Sequence, residues 1–269
     1  MIEAGIRASG LNARDKRVLL KPNLVEFDKC TAINTDPHVV AAAYEVFRKL
    51  GAQVLIAEGP GHRRDTFGLA EEAGYRQAIP RLEDVFADLN TDDTTAVGDF
   101  AGEKQFYFPN TVLGADLIVS LAKMKTHHWA GATLSMKNLF GLVPGCIYGW
   151  PKNKLHFIGI PKSIAGLNRK FRNTFAIVDG IVGMEGNGPI QGTPKACGVL
   201  VMGADLPAVD ATCCRIMGID PDRVSYLQLA QDLGNTAGEQ IEQRGERIDT
   251  VSTDFELFGE FQSIRLRRG

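Results

Sequence analysis

Short apolar runs alternate with stretches of helical period along most of the chain, a pattern that predicts an α/β fold with a mainly parallel sheet flanked by helices. The first unit is a strand at 17–20, a loop from Lys21 to Asp36 and a helix over 37–50. Asp36 is the natural N-cap of that helix and Pro37 its first residue. Gly51 stops the helix, and the next strand, 53–57, leaves through Glu58-Gly-Pro-Gly61. Further strands are expected at 85–87, 116–122, 175–178 and 198–202, and helices at 67–73, 160–171, 206–217 and 224–233. The polar stretch near 90–108 suits a hairpin insertion, and the Gly, Pro and aromatic-rich stretch near 142–158 suits a cover loop. Together these elements describe a single α/β domain over 1–269, with a ligand crevice at the C-terminal ends of its strands.

The strand at 116–122 is apolar and β-branched, as a strand buried on both faces should be, yet the chain turns cationic directly after it. By alternation Lys123, Lys125 and His127 continue the face that carries Leu117, Val119 and Leu121. A helix over 132–143 would place Ala132, Met136, Leu139, Phe140 and Val143 on one apolar stripe. It would leave Thr133, Lys137 and Gly141 at spacings of four on the other side. Lysines, a hydroxyl and a helix N-terminus at a strand exit suit a phosphate or carboxylate.

Other exits offer partners. Lys21-Pro-Asn23 follows the first strand, where Lys21 can meet an anion and Asn23 can donate and accept. The run from Val178 to Pro189 contains Asp179 and Glu185 among glycines. It can hold a divalent cation through its carboxylates, lend Glu185 as a base, or pair with the lysines. Asp205 reads as a helix cap, whereas Asp210, inside that helix, can face the crevice. Adjacent His127 and His128 point opposite ways in an extended segment, so acid/base or hydrogen-bonding work suits them better than a shared metal. Neither a dinucleotide fingerprint nor a P-loop is present.

Composition narrows the classes. A formal net charge of -2 with 44% hydrophobic residues excludes a bulk nucleic-acid binder, and the basic run from Arg265 to Arg268 reads as a solvated tail. Five cysteines, Cys30, Cys146, Cys197, Cys213 and Cys214, lack the spacing of a zinc ribbon or an iron–sulfur cluster, and scattered thiols fit a reducing compartment. No apolar stretch is long enough to span a bilayer and the start carries no export signal, so a cytoplasmic protein without membrane contact is expected. Oligomeric state is not legible.

Lys21-Pro-Asn23, Lys125-Thr-His127, Thr133, Lys137-Asn138-Leu-Phe-Gly141, Asp179-Gly180, Gly186 and Gly188-Pro189 together closely resemble the bacterial and archaeal domain-of-unknown-function family 362, over about 17–220. The resemblance implies a family label of iron–sulfur centre proteins, which rests on a clustered-cysteine segment that this chain lacks. It also implies an upstream twin-arginine export signal in some members. On the residues, the expectation is an enzyme that binds a small anionic substrate through Lys21, Asn23, Lys123, Thr133, Lys137 and Asn138. Its acid/base or nucleophilic groups come from Lys125, His127 and Glu185, with Asp179 and Glu185 as the candidate metal ligands. A redox accessory protein and a non-catalytic anion-binding module are the competing readings.

Overall fold

The computed structural model describes residues 1–267. Its strands are β1 (Arg17–Pro22), β2 (Gln53–Glu58), β3 (Phe86–Asp88), β4 (Thr94–Val97), β5 (Phe106–Pro109), β6 (Leu117–His127), β7 (Gly131–Thr133), β8 (Thr174–Glu185) and β9 (Thr193–Gly203). The main sheet runs in the order β3-β2-β1-β6-β8-β9, with β7 paired to β6, while β4 and β5 form a separate antiparallel hairpin. The five strands from β3 to β8 along that order pair in parallel, and β9 joins the edge antiparallel to β8. The sheet is thus mainly parallel, and helices cover both faces.

Alternation along β6 shows how the two cores form. Leu117, Val119 and Leu121 enter the cluster beneath the helix Pro37–Lys49, while Ile118, Ala122 and Met124 enter the cluster beneath Leu206–Ile216. Asp36 caps the first of these helices by accepting from the His38 N–H, and Asp205 caps the second by accepting from the Ala208 N–H.

Three expectations are overturned. The first concerns 132–143, which is not one helix: Gly131, at φ 77°, reverses the chain so that β7 pairs antiparallel with Lys125–His127, and only Ser135–Asn138 is α-helical before a 3₁₀ turn at Leu139–Leu142. Ladder hydrogen bonds to a neighbouring strand outweigh an apolar period that fits a helix equally well. The second concerns 178–189, which is not a strand exit throughout. β8 continues to Glu185 because β9 pairs along it, so the run that looked like a glycine loop is mostly strand. The exit of antiparallel β9 therefore lies at the opposite edge of the sheet. Third, 224–233 holds only the short helix Ser225–Gln228. The basic tail also differs: Arg265 donates to the Phe255 carbonyl at 2.7 Å, and Arg268 lies outside the described residues.

Candidate functional site

At the C-terminal ends of β1, β2 and β6 the chain encloses a cavity of about 460 Å³. One wall comes from the strand ends, another from the turn after β7, and the rest from the loops at 187–191 and 151–156. The concentration of titratable groups is unusual: Lys21, Lys125, Lys137 and Lys152 line it, with His62, His127, His128 and His156, four of the five histidines in the chain. Glu58 is the one carboxylate among these lining residues.

β6 explains why charge is buried here. Leu117–His127 is buried at every position, so its last five residues carry lysine and histidine into the interior instead of out to solvent. Each group meets a different fate. Lys123 forms an ion pair with Asp179 at 2.7 Å, and Asp179 also accepts from the backbone N–H groups of Asp36 and Ile181. Lys123 does not line the cavity. Lys125 has no carboxylate partner among the described residues; it donates to the carbonyls of Ile33 at 2.9 Å and Pro189 at 3.2 Å. Burial, reinforced by the nearby charge of Lys137 and Lys123, holds its ammonium well below the ordinary lysine range.

Lys21 is clamped. It pairs with Glu58 and donates to the Asn138 side-chain oxygen at 2.9 Å, while the Asn138 amide donates back to the Lys21 carbonyl and to Ser120. Burial drives the lysine down and Glu58 up, each toward its neutral form. Gly141 makes this close packing feasible, since a Cβ there would sit 2.4 Å from both Glu58 Oε1 and Lys21 Cε. Lys152 is likewise engaged, donating to Asn90 and to the Val143 carbonyl, and burial lowers it to about 7.

Lys137 stands apart. Its ammonium lies 4.6 Å from the Phe140 ring centroid, and among the described residues it has neither a hydrogen bond nor an ion pair. Burial, followed by the charge of Lys21, lowers it to about 8. Two other wall groups carry unmatched buried atoms, Thr133 Oγ1 and Glu58 Oε2. The short helix that presents Lys137 is held by Asp210, which accepts from the N–H groups of Ser135 and Met136 and from the hydroxyls of Ser135 and Tyr226. Asp210 therefore faces this helix instead of the cavity. Burial raises it to about 7.

The histidines differ in tautomer. His127 Nδ1 accepts from the backbone N–H groups of Trp129 at 2.9 Å and Ala130 at 3.3 Å, so the ring proton sits on Nε2. His128 Nδ1 lies 2.6 Å from the Gly188 carbonyl and His156 Nδ1 lies 3.2 Å from the Lys152 carbonyl, which puts a proton on Nδ1 in both. Burial and the neighbouring lysines keep His127 neutral, far below the usual imidazole range.

Of the residues singled out in the sequence, Lys21, Asn23, Lys125, His127, Thr133, Lys137 and Asn138 meet around this cavity. Thr133 and Lys137 do so without the helical spacing that first linked them. The metal pair does not form: Asp179 is taken up by Lys123, and Glu185 pairs with Lys195 at 3.1 Å and accepts from the Glu256 N–H. Neither carboxylate lines the cavity, so the placement of Glu185 as its base fails with the metal reading. Among the described residues no group of three histidine, cysteine or acidic side chains converges as a metal site. Cys213 and Cys214 are buried in the core and the other thiols are dispersed. Residues missed in the sequence are Glu58, Asn90, Lys152 and His156. The strand exit after β2 and the cover segment were visible signals, but nothing local said that they meet.

A family model described as "Domain of unknown function (DUF362)" matches residues 18–215. A thylakoid-associated protein of Synechocystis is 28% identical over 233 residues, covering 81% of this chain and 68% of that protein. Among solved structures, the lactate racemase apoprotein from Thermoanaerobacterium thermosaccharolyticum aligns with a TM-score of 0.50 at 13% identity, over 80% of this chain. This chain spans only 55% of that one, and the likeness is one of fold. Among the described residues no helix is long and apolar enough to cross a membrane. The family match includes every lysine of the cavity wall, and this chain belongs to the DUF362 family of domains of unknown function.

Proposed function

We propose that the cavity is the active site of an enzyme that binds a small carboxylate- or phosphate-bearing molecule and moves a proton on it. The observation that carries this reading is the lone Lys137 ammonium, set in a wall of cationic and donor groups whose one carboxylate, Glu58, is committed to Lys21. Lys137 is half-buried in the cavity wall, and a bound anion would balance a charge that the protein leaves without a partner there. The His127 Nε2–H and the unmatched Thr133 hydroxyl add neutral donors for the same ligand. Because His127 is held as a neutral donor, it orients and polarises the ligand instead of taking its proton. The proton passes to Lys125, the amine that burial shifts well toward its neutral form. The lactate racemase of related fold acts, by its name, on a small 2-hydroxy carboxylate, which makes such acids the first compounds to test.

Calorimetric titration with lactate and with inorganic phosphate tests binding, and exchange of the substrate's carbon-bound hydrogen in deuterated water, followed by NMR, tests proton transfer. Binding that is the same in wild type and Lys137→Met sinks the assignment of the site. Tight binding without exchange would leave a non-catalytic anion-binding module.

A further inference from the structure

Four lysines line the cavity and three of them are held in place. Lys21 has Glu58, Asn138 and the Pro22 carbonyl, Lys125 has two carbonyls, and Lys152 has Asn90 and a carbonyl. Each arrangement occupies the N–H bonds of the amine and fixes where it points. Lys137 has only the face of Phe140, so its nitrogen is free to approach a carbon atom in the cavity. Its neighbours on the wall supply donors for both ends of a carbonyl-bearing anion. The carboxylate or phosphate can meet the protonated lysine on entry, and once Lys137 has given up that proton the carbonyl oxygen can take the His127 Nε2–H or the Thr133 hydroxyl, both lacking partners among the described residues.

Resting on the reading of the cavity as an anion-binding active site, we infer that Lys137 is an amine nucleophile whose substrate is a small anion carrying a ketone or aldehyde, with which it forms an imine. The neutral Nζ adds to the carbonyl carbon, the carbonyl π pair moves to oxygen, and a proton passes from nitrogen to that oxygen. Loss of the oxygen as water, with the second nitrogen proton, leaves the C=N bond. The step releases one water and requires no oxidant or reductant. An imine so formed acidifies the adjacent C–H, which Lys125 is placed to accept from the same cavity. At neutral pH an amine at about 8 has a neutral fraction roughly 300-fold larger than one at the ordinary lysine value of 10.5.

The test uses the intact chain with pyruvate and sodium cyanoborohydride, read by intact mass and peptide mapping, with pyruvate and lactate binding measured alongside by calorimetry. The expected result is one stable adduct per chain, on Lys137, suppressed by lactate, which has no carbonyl but competes for the cavity. At saturating pyruvate its rate in wild type should climb with pH to a midpoint near 8 instead of continuing toward 10.5. Lys137→Arg should abolish it, and the wild-type pH profile keeps the test decisive if that variant fails to fold. Label spread over surface lysines, or confined to Lys125 or Lys152, overturns the inference. Pyruvate that binds and competes with lactate yet is never trapped overturns the imine and leaves the anion site standing. Absence of binding by either acid overturns both.

Discussion

Lys123 and Lys125 are two residues apart on one strand, both are buried, and they belong to different regions of the molecule. Around Lys123 the protein supplies its own anion: Asp179 balances the charge, and two backbone N–H groups complete the carboxylate. Around Lys125, Lys137 and Lys152 there are carbonyls, amide oxygens and an aromatic face, with Glu58 committed to Lys21. The first region is electrically closed and therefore structural. In the second, the one carboxylate on the wall is committed to Lys21 and none is set against Lys137 among the described residues, which is the imbalance the proposed anion site rests on.

The largest effect should separate these two regions. Asp179→Ala leaves Lys123 buried without a partner and removes the acceptor of two backbone N–H groups, so urea denaturation should show a loss of roughly 3–5 kcal/mol. Lys125→Met should cost only about 1 kcal/mol in the same experiment while weakening anion binding. Equal losses would erase the distinction. Next in size, Lys137→Met removes the cation that no protein group needs. Calorimetry with lactate should show affinity falling by about 1.5–3 kcal/mol, with thermal stability unchanged or raised.

A pH titration sharpens the same contrast. On the proposed assignment the protonated form of Lys137 is the one that binds, so anion affinity should be full below about 8 and fall about tenfold per pH unit above it. Stability responds with the opposite sign. The folded-state value of about 8 lies below the ordinary 10.5, so between the two the unfolded chain carries more protons, and stability contributed by this group rises with pH across that window. A flat binding profile through pH 8 would remove Lys137 from the site. The smallest effect is expected of Thr133→Val, which deletes a buried hydroxyl that has no partner. It should leave unfolding unchanged or slightly improved, and lower anion affinity by about 1 kcal/mol.

How much was legible follows from the range over which each signal acts. The helix Pro37–Lys49 and its cap, the capped helix Leu206–Ile216 and the apolar strands were readable because propensity, capping and alternation are decided by neighbours in sequence. Alternation grouped Lys123, Lys125 and His127, of which Lys125 and His127 line the cavity and Lys123 does not. It could not say that Asp179 would claim the first of them, because that pair joins positions 56 residues apart. The helix read over 132–143 failed for the same reason, since its first residues pair instead with the strand before them.

The Lys-Thr-His and Lys-Asn-Leu-Phe-Gly motifs carried the family and pointed to Lys125 and Lys137, while the alternation of apolar runs with helical periods carried the strand-and-helix class, because each follows from residue type and spacing. Tertiary structure alone decided which charges are closed and which are open. That outcome depends on Glu58, Asn90, Lys152, His156 and Asp210 arriving from separate elements, and electrostatics in a buried site is set by distance and solvent exclusion, neither of which is local in sequence.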